Sequence, residues 1–224
     1  DYFNTDTVSP GALSAPLTAG AYELWYVSGA DDSVLARSPI TVTAFTGELQ
    51  GPDEVAGGTK FQVAWNGPNA SGDYVTIVPV GADESDYLSY VDAPDGSPAT
   101  LVAPGKAGAY ELWYVSGSPV EVMLRRPITV TPVVASVKGP DSVKVASDFK
   151  VDWTGPDGPG DYITIVPVGS DPGAYLSYWY TADGTPAQLT APGEPGDYEL
   201  WYVIPGRREG PTAVFARQPI EVKP

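Results

Sequence analysis

Catalysis in a protein starts from nucleophiles, bases and metal ligands, and this chain of 224 residues has neither His nor Cys. Serine or cysteine nucleophiles with an imidazole base are thereby excluded, as are disulfides and thiolate zinc sites. Lys60, Lys106, Lys138, Lys144 and Lys150 are scattered, and none recurs beside a Ser at the chain's repeat distance, so a Ser–Lys pair finds no support. The segment "GPDGPGD" at 155–161 has the glycines of a phosphate loop but not its Lys or its strand–loop–helix setting. A glycosidase needs two carboxylates facing each other across a cleft, and small β-sandwiches offer no deep cleft. No enzyme is expected.

Acidic loops are the next candidates. "GADDS" (29–33), "GADESD" (81–86), "DAPDG" (92–96) and "TADGT" (181–185) cluster Asp with Gly and Ser. Calcium takes six to eight hard oxygens, often from such loops in extracellular modules. Asp83, Glu84 and Asp86 are the best metal candidates, and calcium is the one cofactor to consider. Against it, no loop has EF-hand spacing and the Asp positions shift between repeats, whereas Asp also serves simply as a turn residue.

Aromatic residues form the third group. In "YELWYV", alternation that points Tyr110, Leu112 and Tyr114 inward points Glu111, Trp113 and Val115 outward. Trp25, Trp113 and Trp201 therefore make an outward series, to which "DYLSYV" and "AYLSYWYT" add Tyr87, Tyr90, Tyr175, Tyr178, Trp179 and Tyr180. An exposed aromatic face could stack sugar rings or anchor a protein partner. Cross-strand neighbours could equally cover the rings as ordinary sheet stabilisation. The net charge of −16, from 28 acidic and 12 basic residues, argues against nucleic acid as a partner. No apolar run approaches the ~18 residues of a membrane-spanning helix, so no membrane insertion is expected.

These side chains are positioned by a repeat. "GAYELWYVSG" stands at 20–29 and again at 108–117, and returns as "GDYELWYV" at 196–203. Trp65 recurs as Trp153, Asp73 as Asp161, and Leu13 as Leu101 and Leu189, always 88 residues on. The last copy gains four residues within "IPGRREGPTAVFARQPI", which lengthens a hairpin loop. The spacing predicts complete modules at 46–133 and 134–224, with residues 1–45 forming the back half of a first. Each full module is the size of a domain that folds alone, unlike a solenoid unit.

Within a module, "TKFQVAWNG" alternates Phe61, Val63 and Trp65 against Gln62 and Ala64, and about seven such strands follow one another between Gly, Pro and Asp turns. The fold class is all-β: tandem immunoglobulin or fibronectin-like β-sandwiches. Gly108 and Tyr110, just ahead of Leu112, match the tyrosine corner of such sandwiches, with Leu24, Leu112 and Leu200 where an antibody domain has its second Cys.

The segments "VAWNGP", "GDYVTIVPVG", "APGKAGAYELWYV" and "RRPITV", with their counterparts in the next module, resemble the immunoglobulin-like tandem repeats of exported bacterial proteins, in some cases found beside von Willebrand factor A domains. The resemblance covers essentially the whole chain. It implies export to an extracellular, cell-surface or periplasmic location and a long multidomain parent, and it carries no catalytic residues. Half a sandwich would bare its inner face, so residues 1–45 are expected to be completed by upstream sequence, by further immunoglobulin-like modules, or by another protein chain. The connections "TVTAFTGELQGP" and "TVTPVVASVKGP" leave little free linker and predict a stiff rod. The function expected is a non-catalytic structural spacer or fibre-forming segment working through sheet edges and an aromatic face. The alternative is glycan binding by that same face.

Overall fold

The computed structural model describes residues 2–5, 10–206 and 211–224. The chain divides into two compact units, Asp1–Glu48 and Leu49–Pro224. The first contains one hairpin, β1 (Gly20–Val27) and β2 (Val34–Val42). Residues 11–17 form no strand there. Their counterparts in the complete modules pair with a strand that has no equivalent among the described residues of this unit.

The second unit holds two sandwiches. The leading one comprises β3 (Glu48–Gln50), β4 (Glu54–Ala56), β5 (Lys60–Asn66), β6 (Tyr74–Pro79), β7 (Tyr90–Asp92), β8 (Ala99–Val102), β9 (Gly108–Gly117) and β10 (Val120–Thr131). The trailing one repeats them as β11 (Ser136–Lys138), β12 (Ser142–Lys144), β13 (Asp148–Thr154), β14 (Tyr162–Pro167), β15 (Ser177–Tyr180), β16 (Ala187–Thr190), β17 (Gly196–Ile204) and β18 (Ala213–Lys223). In each, a three-stranded sheet (β3-β5-β8, β11-β13-β16) faces a five-stranded one (β4-β10-β9-β6-β7, β12-β18-β17-β14-β15). This strand order, with β4 and β12 parallel to the last strand, is that of tandem immunoglobulin-like sandwiches.

The opening strand is split, giving eight strands where seven were predicted. At Gly51–Pro52 and Gly139–Pro140 the chain leaves one sheet for the other, because proline cannot donate to the ladder. A methyl group at Gly139 would come within 2.5 Å of Leu200 Cδ1, so the backbone crosses over the core only as glycine. Arg126 Nη2 donates to Gly51 O at 2.9 Å, and Gln218 grips Gly139 in the same place through both its amide atoms.

Each core lies between its two sheets. Phe61, Val63, Trp65, Ile77, Leu101, Leu112 and Tyr114 fill the first, and Phe149, Val151, Ile165, Leu189, Leu200 and Tyr202 the second. Burying one such side chain stabilises by about 1.5–3 kcal/mol. Tyr110 Oη donates to Lys106 O at 2.9 Å and Tyr198 Oη to Glu194 O at 3.1 Å, the bonds of the predicted tyrosine corner. A second tie runs through the core: Tyr114 Oη donates to Asp73 Oδ2 at 2.8 Å and accepts from Asn69 N, while Gly117 N donates to Asp73 Oδ1. Tyr202 and Asp161 repeat it at 2.9 Å. The predicted four-residue insertion lies partly in 207–210, outside the described residues.

Candidate functional site

The tryptophan series is where alternation and structure part. Trp113 points away from the core, as predicted, yet it is fully buried. A bulge between Val122 and Leu124 shifts the β9–β10 register so that Arg125 stands opposite Trp113. The guanidinium lies 4.5 Å from the ring centroid, and Arg125 Nη1 is 3.6 Å from Glu111 Oε2, which accepts a 2.8 Å bond from Trp113 Nε1. Val78 and Val115 close the sides. Trp201, Arg217 and Glu199 repeat the stack, with the cation at 4.7 Å and the indole bond at 2.9 Å, and Trp201 is also fully buried. The expectation of an exposed tryptophan face is therefore corrected at Trp113 and Trp201. Each ring is spent on a cation–π contact of about 0.5–2 kcal/mol and presents no face to a sugar. Trp25 has the same partners, Arg37 at 4.8 Å and Glu23 Oε2 at 2.8 Å, but remains exposed.

Trp179 is half-buried against the trailing core and donates to Gly184 O at 2.9 Å, so it also leaves the exposed series. The tyrosines remain. Tyr87 and Tyr90 meet edge to face at 5.1 Å, and both lean on Tyr74. Tyr178 meets Tyr175 at 5.2 Å and Tyr180 at 5.3 Å, with Tyr162 behind it. Tyr90, Tyr175, Tyr178 and Tyr180 are exposed, and Tyr87 borders a pocket lined by Val78, Pro79, Asp86 and Leu88. Both clusters sit on the edge strands β7 and β15 and the loops leading into them.

In the acidic loop the candidate side chains make local turn and ion-pair contacts. Asp86 Oδ2 accepts from Asp83 N at 3.0 Å, and Glu84 Oε1 lies 3.4 Å from Arg125 Nη2. Asp83, Glu84 and Asp86 do not converge, and among the described residues no three acidic side chains are grouped to hold a metal ion.

One surface was not foreseen: the joint between the two sandwiches of residues 49–224. A methyl group at Gly58, whose φ is +77°, would come within 3.1 Å of Pro156 and 3.2 Å of Ile204 Cδ1. One at Gly158 would meet Gly58 O at 2.9 Å, and one at Gly105 would touch the Phe215 ring. Val133, in the connection, packs against the trailing core. In the leading module Gly57, Gly58 and Pro104 are buried by this joint, while their counterparts Val145, Ala146 and Pro192 are not. The sequence holds a signal for it, since Gly57–Gly58 becomes Val145–Ala146, and Ser116 and Met123 become Ile204 and Phe215. Only the folded chain shows that these four differences meet.

No family model matches the chain, and no curated protein matches it. Among solved structures, the chain is similar to a two fibronectin type-III domain segment from chicken tenascin (19% identity, 78% of this chain and 95% of that one, TM-score 0.28). A chimeric titin Z1Z2-Z1Z2 tandem (18% identity, 75% and 92%, TM-score 0.24) and the Yersinia pseudotuberculosis adhesin InvE (13% identity, 79% and 58%, TM-score 0.27) also match. At these TM-scores the likenesses carry no functional argument, and the fold assignment rests on the strand order. No helix among the described residues is long and apolar enough to cross a membrane.

Proposed function

We propose that the two sandwiches of residues 49–224 act as a stiff, non-catalytic spacer or assembly segment of an exported bacterial protein, at the cell surface, outside the cell or in the periplasm. The joint carries this reading. Two modules that only needed tethering would not require backbone to approach backbone at Gly58 and Gly158, nor Ile204 and Phe215 where the preceding copy has Ser116 and Met123. Packing of this closeness behaves as a solid, so it fixes direction along the chain. The net charge of −16 supports an extended state by self-repulsion.

The test is Gly58→Val compared with Gly81→Val. Both glycines have positive φ, +77° and +86°, but a side chain at Gly81 meets nothing within 4 Å. Spin labels on β8 and β16 read the distance between modules. A broadened distribution in Gly58→Val, with Gly81→Val unchanged, is the expected outcome, and equal widths would end the stiff-spacer reading.

Glycan binding is a second reading, favoured by one observation: the exposed tyrosine clusters recur at the same edge of both modules. With Trp113 and Trp201 buried, Tyr87, Tyr90, Tyr178 and Tyr180 would have to supply the stacking. A polysaccharide that perturbs these rings, and no longer does so in Tyr90→Ala with Tyr178→Ala, would support it, and silence across a glycan array would remove it.

A further inference from the structure

The decapeptide "GAYELWYVSG" folds in two environments in this chain, so differences between its copies report only what lies against it. In β9, Leu112, Trp113, Tyr114 and Val115 are 0% exposed. In β1 the identical residues Leu24, Trp25 and Tyr26 are 43%, 55% and 51% exposed. The hairpin itself is the same: Trp25 stands opposite Arg37 as Trp113 stands opposite Arg125, and the tyrosine corner is made, with Tyr22 Oη donating to Thr18 O at 2.9 Å. Among the described residues, β1 has no strand on its second edge, whereas β9 has β6 there and β17 has β14.

The two complete modules specify what that edge accepts. Pro79, Ile77, Val75 and Tyr74 stand opposite Tyr110, Leu112, Tyr114 and Val115, and Pro167, Ile165, Ile163 and Tyr162 stand opposite Tyr198, Leu200, Tyr202 and Val203. The residue ahead of this strand is Asp in both, and its carboxylate receives the Tyr114 or Tyr202 hydroxyl. A glycine lies on that tyrosine's ring in both, because a methyl group at Gly67 or Gly155 would come within 2.5 or 2.4 Å of it.

We propose that the β1–β2 hairpin is an acceptor for the front half of a repeat module: a Trp-x-Gly-Pro strand over its inner face and an Asp-Tyr-x-Thr-Ile-Val-Pro strand antiparallel to β1. The Asp receives Tyr26 Oη, the Ile covers Leu24 and the Pro faces Tyr22. A second copy of this chain does not supply it, since both front halves in each copy are already folded into their own modules. This deepens the assembly half of the proposed function and is independent of the joint, so the Gly58→Val comparison and the following test fail separately.

Two experiments test it, one on the full chain and one in which the added segment takes the place of residues 1–16. In one, a synthetic peptide of residues 72–80 is added in trans. In the other, residues 46–104 are fused ahead of Leu17, which restores the spacing of a complete module. Hydrogen exchange over residues 20–27 should slow by about tenfold or more as the strand edge closes, and acrylamide should lose access to Trp25. Asp73→Ala in the added segment should weaken the protection. Slowing by either addition, reduced by that substitution, supports the proposal. Slowing by neither, slowing indifferent to the Asp, or protection of β1 by dimerisation of the unmodified chain in sedimentation overturns it.

Discussion

At the residue scale, the tie between tyrosine and aspartate makes each sandwich sensitive to alkali. Burial, helped by the Asp73 carboxylate, holds the Tyr114 hydroxyl well above its ordinary 10.0, and burial with the charge of Asp161 does the same to Tyr202. Above pH about 10 the unfolded chain sheds these two protons while the folded chain keeps them, so stability present at lower pH falls as pH rises. The urea midpoint should decline above that pH, and the decline should be shallower in Tyr114→Phe with Tyr202→Phe. Tyrosinate absorbance from these two rings should rise only with unfolding. The corner tyrosines were legible in sequence because a Gly, a Tyr and a buried Leu at fixed spacing are purely local. The fate of Trp113 and Trp201 was not, since alternation gives the side of the sheet and says nothing of what stands across it.

At the scale of elements, the bulge is what local pattern could not supply. If Met123 paired with Tyr114 instead of bulging out, Leu124 and not Arg125 would face Trp113, because one residue of slip turns a strand over. The residue that bulges in the same place in β18 is Phe215, the ring that reaches the joint. The split opening strand was not legible: about seven strands were expected in each module, and the change of sheet depends on Leu200 lying beneath Gly139. Gly139→Ala should therefore cost about 1–3 kcal/mol as Leu200 is displaced, read as a lower denaturant midpoint with the slope retained.

Across the whole molecule, the period of 88 residues made two complete sandwiches and one partial copy readable before any coordinates, as shared periods do for repeat proteins. What the period hides is the departure from it. Copies were recognised by what they share, while the contact between them is built from what they do not: glycines at the foot of one, isoleucine and phenylalanine at the head of the next. Residues 1–45 show the same limit from the other side, since their pattern matched the back half of a module and their described residues form a hairpin.

The foot of the trailing module carries Val145 and Ala146 where the leading one has its glycine pair, and Ala146 takes the left-handed backbone even so, with φ of +55°. A replica of Pro156 and Ile204 could not settle there as the original settles on Gly58. The beads are thus numbered: swapping two of them in a gene would preserve every interior and still misalign the thread, so their order is written into the chain by the few positions at which the copies differ.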